Sequence, residues 1–539
     1  MAKPDAQTTE LVANSVGGAS HEITDAQRFL RFLILGCEGG TYYASQRELG
    51  IENVAALLRL LESGQHEVVL DTIRDVSLGG RAAKQQPTML ALAVVLKHGT
   101  SDAKKAALAL IDEVCRIPTH LFMLLTFARA MDIGWGRSYK RAVSHWYTSK
   151  DADRLAFLVT KYQRREGWSH RDVLRLCHMK PQDPAHALVY QGIVKGASTV
   201  ATSDRPDDSQ ADVQSIYDLY HALHTLNTLS QDADAVASNT QQAIDLVRTH
   251  RLAHEHVPTP FLGQTHMWAA LLETMPVTAT MRNLARMTTL GVFKEYPGMV
   301  DVVCSRLTDQ AALRKARLHP LNALVAQRTY SSGKGMRGSN TWEPIRQIST
   351  ALEEAFYASF GNVEPTGKRL LLAVDVSGSM TWGFVRGCDG INAREAAAAM
   401  AMVALRTEQN AQILGFSHTL VPIPVTAEDS LDVVLGKINK ILMGGTDCAL
   451  PMRHAIDNDL AIDAFVVYTD NETYTPNGMP SDVLRAYRHK TGIDAKLVVA
   501  GMTATGFTIA DPSDPGMLDL VGFDTNAPTI MSDFIAGKL

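Results

Sequence analysis

The sequence lacks most of the features that mark whole classes of protein. Its six cysteines, Cys37, Cys115, Cys177, Cys304, Cys388 and Cys448, stand far apart and form no CxxC pair. That spacing argues against a disulfide framework or a zinc knuckle. No uninterrupted apolar run approaches the roughly 20 residues of a membrane span. The opening stretch Met1–Glu10 has no apolar core of the kind a secretory signal needs. The expectation is a protein of a reduced cytoplasmic compartment, with no membrane partner. Catalytic motifs are missing as well: there is no GxSxG elbow, no HExxH and no phosphate-binding P-loop. His250, His254 and His256 lie close together, but no carboxylate spacing beside them supports zinc, so they read as helix-end histidines.

What is present is a soluble composition, with 46% apolar and 20% charged residues over 539 positions. That length is too great for one ordinary core, so two or more domains are expected. The net charge of −5 is unevenly spread. Residues 369–539 hold 12 Lys and Arg against 20 Asp and Glu, whereas residues 129–180 hold 12 against 5. The second stretch also carries His145, His170 and His178, and is a candidate polyanion footprint.

Residues 1–21 are small and polar and are expected to be poorly ordered. From residue 22 the apolar spacing is helical, with Phe29, Phe32 and Leu33, then Val54, Leu57, Leu58 and Leu61, on common faces. Helical pairs recur at irregular intervals, which suits a degenerate HEAT-type array up to about residue 368. A flexible loop is expected near 331–342; it contains Gly333-Lys-Gly-Met-Arg-Gly338, a GxGxxG string with no strand before it. From 369 to 539 strands and helices alternate. Expected strands are 370–376, 412–416, 464–469 and 496–501; expected helices are 393–406, 431–441, 480–490 and 530–536. Short apolar strands between helices imply a mostly parallel, doubly wound α/β sheet. Ligands of such sheets sit at the carboxyl ends of the strands.

Three pieces converge at that edge. The apolar run Leu370–Val374 leads into Asp375-Val-Ser377-Gly-Ser379; a turn offers Gly444-Gly-Thr446-Asp447; and a further strand ends in Thr469-Asp470. Three hydroxyls and two carboxylates are hard oxygen donors suited to Mg²⁺ or another divalent cation. This pattern resembles the metal-ion-dependent adhesion site of von Willebrand factor A domains. The resemblance implies that Ser377, Ser379 and Thr446 ligate directly or nearly so. It also implies that Asp375 and Asp470 act mostly through water, and that one position stays open to a partner's carboxylate.

The helical part carries its own strings: Gly134-Trp-Gly-Arg137-Ser, Thr160-Lys161-Tyr-Gln-Arg-Arg165 and Trp168-Ser-His-Arg-Asp-Val-Leu-Arg-Leu-Cys-His178-Met-Lys-Pro181. These resemble the TROVE (telomerase–Ro–vault) module. The order of TROVE then von Willebrand A resembles the sixty-kilodalton Ro autoantigen family, including its bacterial members, over nearly the whole chain. The fold implied is a multi-domain one, an all-α HEAT-like ring at 22–368 followed by a von Willebrand A domain at 369–539. The resemblance implies a non-catalytic RNA-binding protein. Small Y RNA would meet the outside of the ring through Lys161, Arg165 and His178. Single-stranded 3′ ends of misfolded or structured RNA would enter the hole. Arg137, Lys140, Arg141, Arg81 and Lys84 are candidate phosphate contacts. Lys161 and Arg165, four apart, are expected on one helical face. Bacterial members further imply work with exoribonucleases such as polynucleotide phosphorylase in RNA degradation or ribosomal RNA maturation, linked to stress survival. The rival expectation is a metal-dependent protein-interaction scaffold that does not bind RNA.

Overall fold

The structure is a computed structural model that describes residues 11–14, 17–36, 46–204, 211–232, 234–335, 339–360, 363–382, 391–441, 444–474, 478–523 and 525–538. Among them lie twenty-five α-helices. The strands are β1 (Leu11–Ala13), β2 (Ala19–Glu22), β3 (Arg164–Arg165), β4 (Trp168–Ser169), β5 (Leu370–Asp375), β6 (Ala411–Phe416), β7 (Leu420–Pro422), β8 (Ala464–Thr469), β9 (Lys496–Gly501), β10 (Phe507–Thr508) and β11 (Met517–Val521). No helix among the described residues is long and apolar enough to cross a membrane. The chain divides into two compact units. One comprises Thr88–Ala312 with Tyr330–Ser349; the other comprises the residues up to Pro87, Leu313–Thr329 and Thr350 onward.

The first unit is helical, and helices near in sequence pack on one another. Ser101–Val114 lies on Arg137–Thr148, and Val236–Thr249 lies on both Ala211–Leu229 and Thr265–Thr274. Helix Ser101–Val114 shows why these segments fold so. Ala103, Ala107, Leu110, Ile111 and Val114 recur at helical spacing and are buried. The Thr100 hydroxyl accepts from the Ala103 amide at 3.2 Å and closes the first turn. Trp146 and Tyr147 are fully buried. The Trp146 indole donates to the Cys115 carbonyl, and the Tyr147 hydroxyl meets His170 Nδ1 at 2.8 Å. Both rings are core and are not free to stack on bases. The GxGxxG string lies in a chain reversal: Lys334 and Thr341 form a β-bridge, and the Gly335 amide donates to Asn340 O at 2.9 Å. Its last glycine, Gly338, lies outside the described residues.

The second unit centres on a six-stranded sheet in the order β11-β9-β8-β5-β6-β7. All pairs are parallel except β6 with β7. Strands β5 and β8 are buried at every residue, which is why their sequences are continuous apolar runs. One sheet face sets Leu371, Phe465 and Leu497 against Met452, Leu484 and Tyr487 of two covering helices. Helix Ala393–Thr407 packs on β5, β6 and β8, and its fully buried Ala396–Ala399 allow close approach. The four expected strands are β5, β6, β8 and β9. The four expected helices are found at Ala393–Thr407, Leu431–Ile438, Pro480–Thr491 and Ala527–Ala536.

Strand β11 was not expected, because Asp519 interrupts its apolar run. That carboxylate pairs with Arg31 of helix Asp25–Leu35, and the side chains are 9% and 1% exposed. Arg31 also donates to the carbonyls of Thr505 and Phe507, both at 3.1 Å. The expectation that residues 1–21 are poorly ordered is corrected where they are described, and residues 1–10 lie outside the described residues. Strand β2 pairs antiparallel with both β1 and β10. The order comes from tertiary contacts. Asn14 Nδ2 donates to Thr473 O at 2.7 Å, and Gly18 sits so close that a Cβ there would lie 1.8 Å from the same oxygen.

Candidate nucleic-acid surface and metal centre

Strands β5 and β8 are neighbours and parallel, so their carboxyl ends deliver Asp375 and Asp470 to one place. Asp375 is fully buried. One carboxylate oxygen accepts from the Ser377 amide at 2.9 Å and the other from the Thr469 hydroxyl at 2.7 Å. Ser377 Oγ and Ser379 Oγ are 3.0 Å apart and nearly inaccessible. Asp470 accepts from the Glu472 amide at 3.0 Å, and a bond from Ser379 holds the carboxylate further. The Thr446 turn is fastened from both sides. Asp447 N donates to Ser417 O beyond the end of β6, and Tyr474 N donates to Thr446 O, both at 2.9 Å. The five expected residues thus gather at one sheet edge.

The electrostatics of this edge are unbalanced. Burial pushes the Asp375 carboxyl up to about 6. Burial, and then repulsion from Asp375, raise Asp470 well above the carboxylate range. Two buried carboxylates that repel need a proton or a cation between them. Hydroxyls beside them offer hard, neutral donors, so the residues present fit a small divalent cation. No group of three or more His, Cys, Asp and Glu suited to a metal occurs among the described residues. The histidine cluster is otherwise engaged: His256 is buried with Nε2 3.1 Å from the Thr160 hydroxyl, and His254 faces Glu255. The sequence reading missed two residues that brace this edge. Asn14 and Gly18 hold Thr473, three residues beyond Asp470, and only their tertiary contact reveals it.

In the helical unit a groove of about 800 Å³ runs between Ser101–Val114 and Arg137–Thr148. Arg137, Arg141 and His145 line one wall at successive turns of their helix, and Lys104 and Lys105 line the other. No acidic side chain lines it. Arg137 and Arg141 are exposed. Lys140 is half-buried on another face, close enough to Cys177 to lower its thiol against the larger effect of burial. Lys104 and Lys105 were overlooked because their own segment, Ser101-Asp-Ala-Lys-Lys, is not rich in positive charge. Arg81 and Lys84 lie in the turn after helix His66–Leu78, half-buried and exposed respectively.

The expected shared helical face of Lys161 and Arg165 is corrected. Helix Ala152–Lys161 ends at Lys161, and Arg165 belongs to the β3–β4 hairpin. Glu166 and Gly167, with φ of 52° and 76°, form its two-residue turn, which a continuing helix cannot accommodate. The two cations still meet at one aromatic side chain. Lys161 Nζ and Arg165 Cζ lie 5.3 and 5.9 Å from the centre of the Tyr162 ring. Lys161 is also 3.6 Å from Glu255 Oε1. His178 is exposed at the left-handed end of helix His170–Cys177. Among the described residues, no hydrogen bond, ion pair or ring contact joins it to either cation.

Comparison with known proteins adds the following. The TROVE domain family matches residues 12–329, and the Ro60 vWA domain family matches residues 369–535. The chain is 39% identical to the RNA-binding protein RO60 of Deinococcus radiodurans, over 98% of this chain and 96% of that one. It is 35% identical to the RNA-binding protein RO60 of Caenorhabditis elegans, over 98% of this chain and 90% of that one. The crystal structure of the Deinococcus radiodurans RO (RSR) protein superposes with a TM-score of 0.69 at 39% identity, covering 96% of this chain and all of that one.

Proposed function

The chain belongs to the Ro60 family, a TROVE domain followed by a Ro60 vWA domain, and on that premise we propose that it is a non-catalytic RNA-binding protein. The observation that carries this reading is the groove lined by Lys104, Lys105, Arg137, Arg141 and His145 with no acid among them. Such a surface attracts phosphates through released counterions and sets affinity rather than sequence choice. In the finer reading, small Y RNA docks at Lys161, Arg165 and His178 on the outside of a helical ring. Single-stranded 3′ ends of misfolded or structured RNA pass into its hole. Exoribonucleases such as polynucleotide phosphorylase then degrade or mature what is held, and this serves RNA quality control and stress survival in the cytoplasm.

The oxygen-rich edge takes Mg²⁺ through Ser377, Ser379 and Thr446, with Asp375 and Asp470 behind them. When bound, the metal supplies an electrophilic position for a partner's carboxylate. One observation favours docking there. Trp382 and Tyr474, 59% and 61% exposed, sit on loops adjoining the site, where a partner would cover them.

The test is direct. Lys161→Ala with Arg165→Ala is expected to weaken Y RNA binding in a filter assay and to flatten its salt slope by about 1 per lost contact. Unchanged binding and slope would count against the assignment. Purified protein free of RNA by its 260/280 nm absorbance, and unable to bind any, would leave the metal-dependent scaffold as the better reading. Cleavage of labelled RNA by the pure protein with Mg²⁺ would overturn the non-catalytic one.

A further inference from the structure

Below Lys161 the helical unit holds a second cavity of about 380 Å³, within the range of small-ligand sites. Its walls are apolar, with Leu158, Leu252, Leu271 and Met275 all buried. Two aromatic rings, Phe157 and Tyr162, also line it. Arg154, Lys161 and Arg251 bring three positive charges, and Glu255 brings one carboxylate. The cations lie close to the rings: Arg154 Cζ and Lys161 Nζ are 6.0 and 5.9 Å from the centre of Phe157. Glu255 is held from two sides, by Lys161 at 3.6 Å and His254 at 3.1 Å. The contact to Lys161 is too long for a good hydrogen bond, so Glu255 Oε1 keeps capacity to accept another.

An occupant must therefore have a flat face for the rings, negative charge for the cations, and a donor for Glu255. A single nucleotide of an RNA strand has all three. Arg251 adds weight to this reading. It ends the turn after helix Val236–Thr249 with φ of 47°, a left-handed position that glycine adopts more cheaply. A cation kept at that position lines the cavity.

We infer that this cavity is a nucleobase pocket that receives one unstacked base of a bound RNA and prefers a base bearing an exocyclic amine, with Glu255 accepting from the amine. The inference rests on the RNA-binding reading and names the ligand of a subsite that adjoins the proposed Y RNA contacts and shares Lys161 with them. Cytosine and uracil have the same shape, but cytosine presents a donor where uracil presents an acceptor. Uracil would set an oxygen against the Glu255 carboxylate.

The test uses the full chain and two fluorescein-labelled oligoribonucleotides, nine uridines and the same strand with a central cytidine, compared by anisotropy. The cytidine strand is expected to bind at least about fivefold more tightly. Glu255→Gln, whose amide both donates and accepts, should bring the two within about twofold. Tyr162→Ala should weaken both by about tenfold. Arg251→Gly should weaken both without lowering the thermal midpoint, since glycine suits that backbone. Equal affinities for the two strands in the unaltered protein overturn the pocket, and so does indifference to Tyr162→Ala and Arg251→Gly. If neither strand binds while a hairpin RNA does, the pocket falls and the RNA-binding reading stands. If no RNA binds at all, both fall.

Discussion

Replacing Arg137 and Arg141 together by alanine puts the groove reading to a quantitative test. Both side chains are exposed, and among the described residues neither forms an ion pair. The double variant should therefore change stability by only about 0.5 kcal/mol. Its effect on RNA is expected to be large. Lys104, Lys105, Arg137 and Arg141 bring four permanent positive charges to the groove. At about 0.9 per neutralised phosphate, they add up to about 3.6 to the slope of log affinity against log salt. Raising salt from 50 to 200 mM then weakens the groove's contribution roughly 150-fold in the unaltered protein and roughly 12-fold in the variant. Contacts elsewhere add equally to both proteins, so the roughly 12-fold difference between the two losses survives whatever else binds. The assay is anisotropy with a hairpin RNA bearing a single-stranded tail, over a series of KCl concentrations, beside a thermal melt of each protein. Lys140→Ala, outside the groove, should leave the slope in place. If the double variant melts normally and its slope falls by less than about 0.5, the groove does not hold phosphate.

Three further outcomes are expected. Mg²⁺ at a hundred times its dissociation constant should raise the unfolding free energy by about 2.7 kcal/mol, and Ser379→Ala with Thr446→Ala should abolish the increment; equal midpoints with Mg²⁺ and with EDTA would argue against the metal. Burial lowers His120, His170 and His256 to about 4, 3 and 4, below the 6.5 of an unfolded histidine. The unfolded chain then takes up protons that the fold refuses, so their contribution is complete above pH 6.5 and is lost as the pH falls from 6.5 to about 4 for His120 and His256 and to about 3 for His170. Imidazole NMR signals assigned to these three residues that shift near pH 6.5 in the folded protein would contradict this. Arg31→Ala should cost about 3–5 kcal/mol by leaving Asp519 buried without its partner, read as a lower midpoint in denaturant.

The legible parts of the chain are those whose physics is local. Leu370–Asp375, Ala464–Thr469 and Lys496–Gly501 read as buried strands because central parallel strands are covered on both faces. Asp375, Ser377 and Ser379 point to a cation site because oxygen donors two residues apart follow such a strand. Arg137 and Arg141 stand out within a basic stretch. Other features depend on partners far away in sequence. Lys104 becomes part of a basic surface only when its helix lies against Arg137–Thr148. Residues 11–14 and 17–21 are placed by tertiary contact, because Asn14 and Gly18 meet Thr473, more than 450 positions later.

Composition and periodicity alone therefore determined a helical part followed by a doubly wound α/β part, and the hydroxyl and carboxylate set at its strand ends. These depend on which side chains recur at spacings of two or of three to four, a property of neighbours in the chain. Tertiary structure decided the rest. It ended the helix at Lys161 and turned Arg165 into a hairpin through Glu166 and Gly167, yet returned both cations to Tyr162. It also made Asp519 a strand residue by burying it against Arg31. Charge pairing and close approach act through space, and spacing along the sequence does not record them.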